Sequence, residues 1–306
     1  MRSNLSSLAI GAATGLALLC CASAASAYCR TTTCDVNKED CKIDSHGCSR
    51  AGNMLWWTNL CVGYNLQEKG SPDIAFNTVS DIAWSSFSAW TQVTCSDGKS
   101  PTMQIHDMGS VPCDAVEYNQ RAGNANIVMF RTGKWPHSKG ASTIALTTVT
   151  FNSETGEIYD ADMEINSGPD LAGGTITVGE TEIGYDLQSV ITHEAGHFYG
   201  LAHSPVEGAT MKATYDVGST KMRTLEDDDI AGICEMYGST RPYVACDPTP
   251  RHGFQSTCGQ PAASDDDSSC STSAAAGHSS FGGVFSLALV ALGVAAVRLR
   301  RPSNKA

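Results

Sequence analysis

The stretch His193-Glu194-Ala195-Gly196-His197-Phe198-Tyr199-Gly200-Leu201-Ala202-His203-Ser204 constrains this chain more than any other. Two histidines four residues apart fall on the same side of a helix. Their imidazoles can therefore reach one tetrahedral ion at about 2.0–2.1 Å. Glu194 follows the first of them and projects beside such an ion, where its carboxylate can take a proton from water. Gly200 lets the backbone leave the helix sharply, because glycine tolerates positive φ. That turn would carry His203 back as a third ligand. Three neutral imidazoles leave a fourth position open, the arrangement of a catalytic rather than a structural zinc. A bare His-Glu-x-x-His arises by chance in many helices. The extended form fixes five positions, and composition puts a chance match below roughly 10⁻⁴. Three unrelated surface or core histidines would explain neither the Glu nor the Gly.

The surrounding pattern predicts the frame. Asp186 opens a helix from Leu187 to about Tyr199, and Gly200 ends it. Leu187, Val190, Ile191 and Phe198 give that helix its apolar contacts. Ile74, Phe76, Val79, Ile82, Ala83, Phe87 and Trp90 recur near helical spacing after Pro72 and Asp73, which predicts an amphipathic helix over 73–91. Met54–Trp57, Thr102–Ile105 and Asn126–Phe130 read as short strands. Thr143–Phe151 and Glu157–Asn166 flank a hairpin turn at 152–156. The acidic positions of the second arm suit an exposed or edge strand. Asp160 and Asp162 could instead offer oxygens to calcium. His106 and His137 are isolated and read as surface or hydrogen-bonded residues. Strands followed by a long helix predict an α+β domain, a sheet backed by helices.

Both ends of the chain read as processing or anchoring segments. Arg2, the apolar run Leu8–Cys21 and Ala25-Ser26-Ala27 make residues 1–27 a signal peptide. Residues 28–51 form a Cys-rich segment, and 241–269 a Cys-, Ser- and Asp-rich linker. Phe281–Val297 is apolar or Gly apart from Ser286 and is followed by Arg298, Arg300, Arg301 and Lys305. That pattern predicts a membrane span with a cytoplasmic end. Cys270, a small-residue spacer, the span and the Arg cluster together resemble the C-terminal sorting tails of myxobacterial surface proteins, so 270–306 is expected to attach the exported protein to a membrane or cell surface.

Charge and cysteine usage narrow the partners. The formal charge is −12. Arg2 and the four tail cations contribute five positive charges to that total, so residues 28–270 carry −17. Such acidity excludes a nucleic-acid partner, which needs a basic footprint. Of thirteen Cys, Cys20 and Cys21 lie in the signal and Cys270 in the tail. Cys29, Cys34, Cys41, Cys48, Cys61, Cys95, Cys113, Cys234, Cys246 and Cys258 remain. An even set in an exported chain favours disulfides of undetermined connectivity, with a Cys-bound metal as the alternative.

The extended motif followed by a Met-turn is the metzincin signature. Beyond His203, Ser204-Pro205-Val206-Glu207-Gly208-Ala209-Thr210-Met211-Lys212-Ala213-Thr214-Tyr215 resembles the matrixin branch, in which a Met lies under the zinc site and a Tyr follows four residues later. Met211 and Tyr215 stand at those positions. Leu225–Gly238 resembles the matrixin C-terminal helix, and the 73–91 helix falls where a matrixin has its first. The resemblance covers 52–240. It implies a metzincin-like α+β domain, a twisted mixed sheet backed by two long helices with the site helix under the cleft and a C-terminal helix. It also implies a monomeric zinc endopeptidase with His193, His197 and His203 on one catalytic zinc and Glu194 as general base. An extended peptide substrate would lie against the edge strand near Asp160–Asn166. Departures are visible. No Pro-Arg-Cys-Gly switch, no His- and Asp-rich loop for a second zinc and no haemopexin-like repeats are found, and Lys212 stands where an aromatic is common. A catalytically silent zinc-containing adhesion module and a self-processing protease are the alternative readings.

Overall fold

A computed structural model describes residues 27–34, 41–241 and 245–259, and the backbone of 283–291. The expected signal peptide, Cys270 and the basic cluster at the end of the tail lie outside the described residues.

The order of elements is β1 (Cys61–Gln67), α1 (Phe76–Thr91), β2 (Gln104–Val111), β3 (Ile127–Arg131), β4 (Thr143–Phe151), β5 (Ile158–Asn166), β6 (Ile176–Thr177), β7 (Tyr185–Asp186), α2 (Leu187–Phe198), β8 (Thr214–Tyr215), α3 (Asp227–Tyr237) and β9 (Gly283–Ala291), with a 3-10 turn at Lys221–Arg223 before α3. The sheet runs β2-β1-β3-β5-β4 and continues through β9 to β8. Strands β2, β1, β3 and β5 are parallel neighbours, whereas β4 pairs antiparallel with β5 through the expected hairpin. The result is the expected α+β architecture, a mixed sheet backed by helices.

Helices α1 and α2 pack against each other, and aromatic side chains with satisfied polar ends fix them. The Trp90 indole N–H donates to the Thr192 carbonyl at 2.8 Å, and that of Trp57 to the Phe198 carbonyl at 2.8 Å. Tyr199 donates its hydroxyl to the Phe87 carbonyl at 3.1 Å, and Tyr237 of α3 donates to the Tyr199 carbonyl at 2.8 Å. Each ring brings a large apolar area into the core without leaving its N–H or O–H unpaired. The three helices are thereby tied around the end of α2.

Several expectations shift. The first helix begins at Phe76 rather than 73, with Ala75 at the cap and no side-chain cap bond. Met54–Trp57 is not a ladder strand; Met54 bridges to Thr32 and Trp56 to Glu157. Strand β1, buried at every position, has no counterpart among the expected strands. The expectation of an exposed or edge position for Glu157–Asn166 is overturned. Strand β5 lies between β3 and β4, and all but Tyr159 is buried. Asp162 and Glu164 are partnered inside, whereas Asp160 Oδ1 is buried with no hydrogen-bond partner. Asp162 accepts from the N–H groups of Ile127 at 2.9 Å and Glu117 at 3.1 Å. Glu164 meets the Arg131 guanidinium at 2.5 Å and the His137 ring at 2.6 Å. The edges of the seven-stranded sheet are β2 and β8.

The described part of the expected membrane span, 283–291, is strand β9, laid antiparallel on β4. Its Val, Phe and Leu residues suit a strand, and β4 supplies a ladder that would otherwise face solvent. Among the described residues no helix is long and apolar enough to cross a membrane.

All ten cysteines between the two end segments are in disulfides: Cys29–Cys48, Cys34–Cys41, Cys61–Cys246, Cys95–Cys234 and Cys113–Cys258. The two bridges to Cys246 and Cys258 fasten the stretch after α3 onto β1 and onto the loop after β2.

Candidate metal centre

Helix α2 is pinned at its start by Asp186. The Asp186 carboxylate accepts from the Ser189 N–H at 2.9 Å and from its hydroxyl at 2.8 Å, which satisfies donors left open at a helix N-terminus. The same carboxylate takes a forked pair from Arg223, Nε at 2.8 Å and Nη2 at 2.8 Å. At the far end Gly200 has φ +104°. A Cβ there would meet the Leu55 carbonyl oxygen at 2.7 Å, so both conformation and space demand glycine.

One helical turn brings His193 and His197 together, and the Gly200 turn returns His203. The three rings lie 4.7–5.3 Å apart between centroids. His193 Nδ1 donates to the Thr210 carbonyl at 2.6 Å, and His197 Nδ1 to the Leu201 carbonyl at 2.9 Å. Those bonds fix the tautomers and leave each Nε2 as a lone pair. His197 Nε2 and His203 Nε2 are 3.2 Å apart. His193 Nε2 is buried with no hydrogen-bond partner, and one ligand atom from each of the three lies within 4.8 Å of the others. Burial, and then the neighbouring His203, hold the His193 imidazole down at about 3; burial takes His203 down to about 4 and His197 well below the usual range. The three rings are therefore neutral near pH 7, the form in which imidazole binds a metal. An orphaned buried nitrogen beside two convergent ones, on a donor set of three imidazoles, fits one zinc ion.

Glu194 is fully buried, and the Thr147 hydroxyl of β4 donates to its Oε2 at 2.5 Å. Beneath the helix, Gly196 packs on Met211 and Trp90; a Cβ at Gly196 would meet Met211 Sδ at 2.2 Å and Trp90 Cζ2 at 2.8 Å. Met211 is buried, and its turn is held by Asp229 of α3. The Asp229 carboxylate accepts from Thr210 N–H at 2.7 Å, Met211 N–H at 3.0 Å and Glu226 N–H at 3.0 Å. Tyr215 is not at the rings. Its hydroxyl accepts from the Asp186 N–H at 3.0 Å and donates to the Ser219 carbonyl, which ties the loop after Met211 to the start of α2.

The sequence pattern named His193, Glu194, His197, His203, Met211 and Tyr215, and the fold brings the three histidines together; Glu194 is buried against Thr147 and Met211 packs under Gly196. It gave no signal for Thr147 or Asp229, whose roles arise from contacts 47 and 18 residues away in sequence. Asp160 and Asp162 lie in the sheet interior and are absent from the convergent ligand groups among the described residues. The other two such groups, around Cys61–Cys246 and Cys113–Cys258, each contain a disulfide. His106 stands on an exposed position of β2.

A family model described as Matrixin matches residues 56–238. The chain is 26% identical over 187 residues to the hatching enzyme of Paracentrotus lividus, which covers 61% of this chain and 27% of that protein. It is 44% identical over 62 residues to mouse (Mus musculus) matrilysin, covering 20% and 23% of the two chains. It is 45% identical over 60 residues to metalloendoproteinase 1-MMP of Arabidopsis thaliana, covering 20% and 16%. The chain thus spans about a quarter or less of the length of these curated relatives.

Proposed function

The chain belongs to the matrixin family, and from that premise we propose that it is a zinc-dependent endopeptidase. One observation carries the reading: three neutral imidazoles turn their Nε2 atoms to one point, with a buried carboxylate on the residue after the first. His193, His197 and His203 would hold the ion. Zinc, when bound, supplies Lewis acidity toward water and the scissile carbonyl.

Glu194 takes the proton of the attacking water and delivers it to the leaving amine. Thr147 holds the Glu194 carboxylate in place through its hydroxyl. Thr210 and Leu201 hold the two helix imidazoles through their carbonyls. Met211 serves as an apolar floor and Tyr215 as a strut. Substrates are peptides of extracellular or surface proteins, and the working form is a monomer. Export through a signal peptide at 1–27 and attachment through 270–306 belong to the same proposal; the five disulfides support an oxidising compartment.

The test is metal analysis paired with a fluorogenic-peptide assay on the oxidised chain and on Glu194→Ala. We expect one zinc in each, hydrolysis only by the unmodified chain, and loss of that hydrolysis with a chelator. Turnover by Glu194→Ala would remove Glu194 from its role. Zinc binding without cleavage of any library peptide would leave a silent surface module.

A further inference from the structure

Two guanidiniums, those of Arg30 and Arg241, share one neighbourhood without a protein carboxylate. Arg30 is partly buried. It makes one hydrogen bond, from Nη2 to the Leu55 carbonyl at 3.4 Å, and its Nε is buried with no partner. Arg241 Cζ lies 4.3 Å from the ring centroid of Trp56, the residue after Leu55, and 5.9 Å from that of Tyr237. The groups that act electrostatically on Arg30 are Tyr237 and Arg241, and no carboxylate is among them. Burial is the largest influence and lowers the Arg30 guanidinium from its usual range, yet arginine stays charged at neutral pH. Among the described residues neither arginine belongs to an ion pair.

That arrangement stands out in this chain. Acids outnumber Lys and Arg by 32 to 20, and Arg50, Arg131, Arg223 and Arg251 each meet a carboxylate. Like charges repel, and a partly buried cation without a partner carries a desolvation cost. One oxygen anion offsets both, because a guanidinium fork matches carboxylate, sulfate and phosphate groups. The place is also tied to the metal centre. Arg30 forms a β-bridge with Leu201. The Leu201 carbonyl accepts from His197 Nδ1 at 2.9 Å and from the Thr31 hydroxyl at 3.1 Å. A charge held at Arg30 therefore bears on the loop between His197 and His203.

We infer that Arg30 and Arg241 form a site for one oxyanion, a carboxylate, sulfate or phosphate group, and that its binding steadies the Arg30–Leu201 bridge and strengthens the hold on the metal. Anion and zinc then raise each other's affinity by the same factor, as linked sites must. Both arginines lie outside residues 56–238, the part that matches the family, so the site is no part of the matched domain. The coupling rests on the zinc reading given above; the site itself does not.

The experiment titrates the oxidised, zinc-loaded full chain with sodium sulfate or sodium acetate, against sodium chloride at constant ionic strength. The Arg30 Nε–H resonance in nitrogen-15 NMR reads the site, and competition against a chelating dye reads zinc affinity. We expect a saturable shift of that resonance and roughly fivefold or more tighter zinc binding. Both responses should vanish in Arg241→Gln and weaken in Arg241→Lys, which keeps the charge and loses the fork. A response to sulfate alone assigns the site to tetrahedral oxyanions, and a response to acetate as well extends it to carboxylates; either supports the inference. No saturable shift with either anion, or the same shift in Arg241→Gln, overturns it. A saturable shift with unchanged zinc affinity overturns the coupling. A chain that takes up no zinc removes the peptidase reading instead, and the Arg30 resonance still decides the site.

Discussion

Thr147 on β4 donates its hydroxyl to the Glu194 carboxylate on α2 at 2.5 Å, with both residues fully buried. This bond connects strand β4 to the group that would move the proton. Thr147→Val keeps the shape and deletes the donor. A buried carboxylate that loses one partner costs about 1–3 kcal/mol. We expect kcat to fall roughly tenfold or more on that basis with little change in KM. Steady-state kinetics on a fluorogenic peptide decides it; a variant with unchanged kcat would show that the hydroxyl does not position Glu194.

Asp229 closes the turn under the rings through three backbone N–H groups. Asp229→Ala strands those donors in a buried site. We expect a loss of about 2–4 kcal/mol in unfolding free energy and weaker zinc retention, because Thr210 also accepts from His193. Urea unfolding and competition against a chelating dye measure the two effects separately.

Gly196 tests packing rather than polarity. The methyl of Gly196→Ala would be driven into Met211 and Trp90, an overpacking that typically costs about 1–3 kcal/mol. Helix propensity alone predicts a gain of about 1 kcal/mol for the same change. The sign of the shift in urea midpoint therefore tells which effect governs the floor of the site, and we expect destabilisation.

Asp160 provides a pH signature. Burial, then the charge of Asp162, push its carboxyl well above the usual carboxylate range. Its folded-state value is thus above its unfolded one, and the group takes up a proton on folding. Its contribution to stability is fully present below the unfolded value, about 3.9, and is lost as pH rises through the folded one. Asp160→Asn removes this dependence. The difference in unfolding free energy between Asp160→Asn and the unmodified chain should grow in favour of Asn from pH 4 toward neutrality. A difference that is flat across that range would place the proton elsewhere.

What could be read in the chain and what could not divides by distance along it. His193, Glu194, His197, Gly200 and His203 are set by one helix and one turn, so spacing alone determines their convergence. The runs Thr143–Phe151 and Glu157–Asn166 were likewise legible as strands because a five-residue turn joins them. Thr147 and Asp229 carry no local mark, since a threonine in a strand and an acid in a helix's first turn are ordinary in themselves. The acids of β5 misled because carboxylates usually mean solvent, and only the fold reveals the N–H groups that Asp162 accepts and the Arg131 guanidinium that Glu164 meets. Strand β1 escaped because Asn65 and Gln67 break its apolar run; Asn65 donates to the Gly109 carbonyl at 3.1 Å. The apolar run at 281–297 fitted a bilayer by composition, and its described part, 283–291, forms a strand beside β4.

The loop that carries His203 is stitched to the far beginning of the chain. Thr31 N–H donates to the Gly200 carbonyl at 3.0 Å, Ala202 N–H donates to the Cys29 carbonyl at 2.9 Å, and Arg30 bridges to Leu201. Cys29 is itself clasped to Cys48. The third imidazole is therefore seated by a clasp that only oxidation can shut. A copy held among cellular thiols would keep its helix pair of histidines but hold the third slackly.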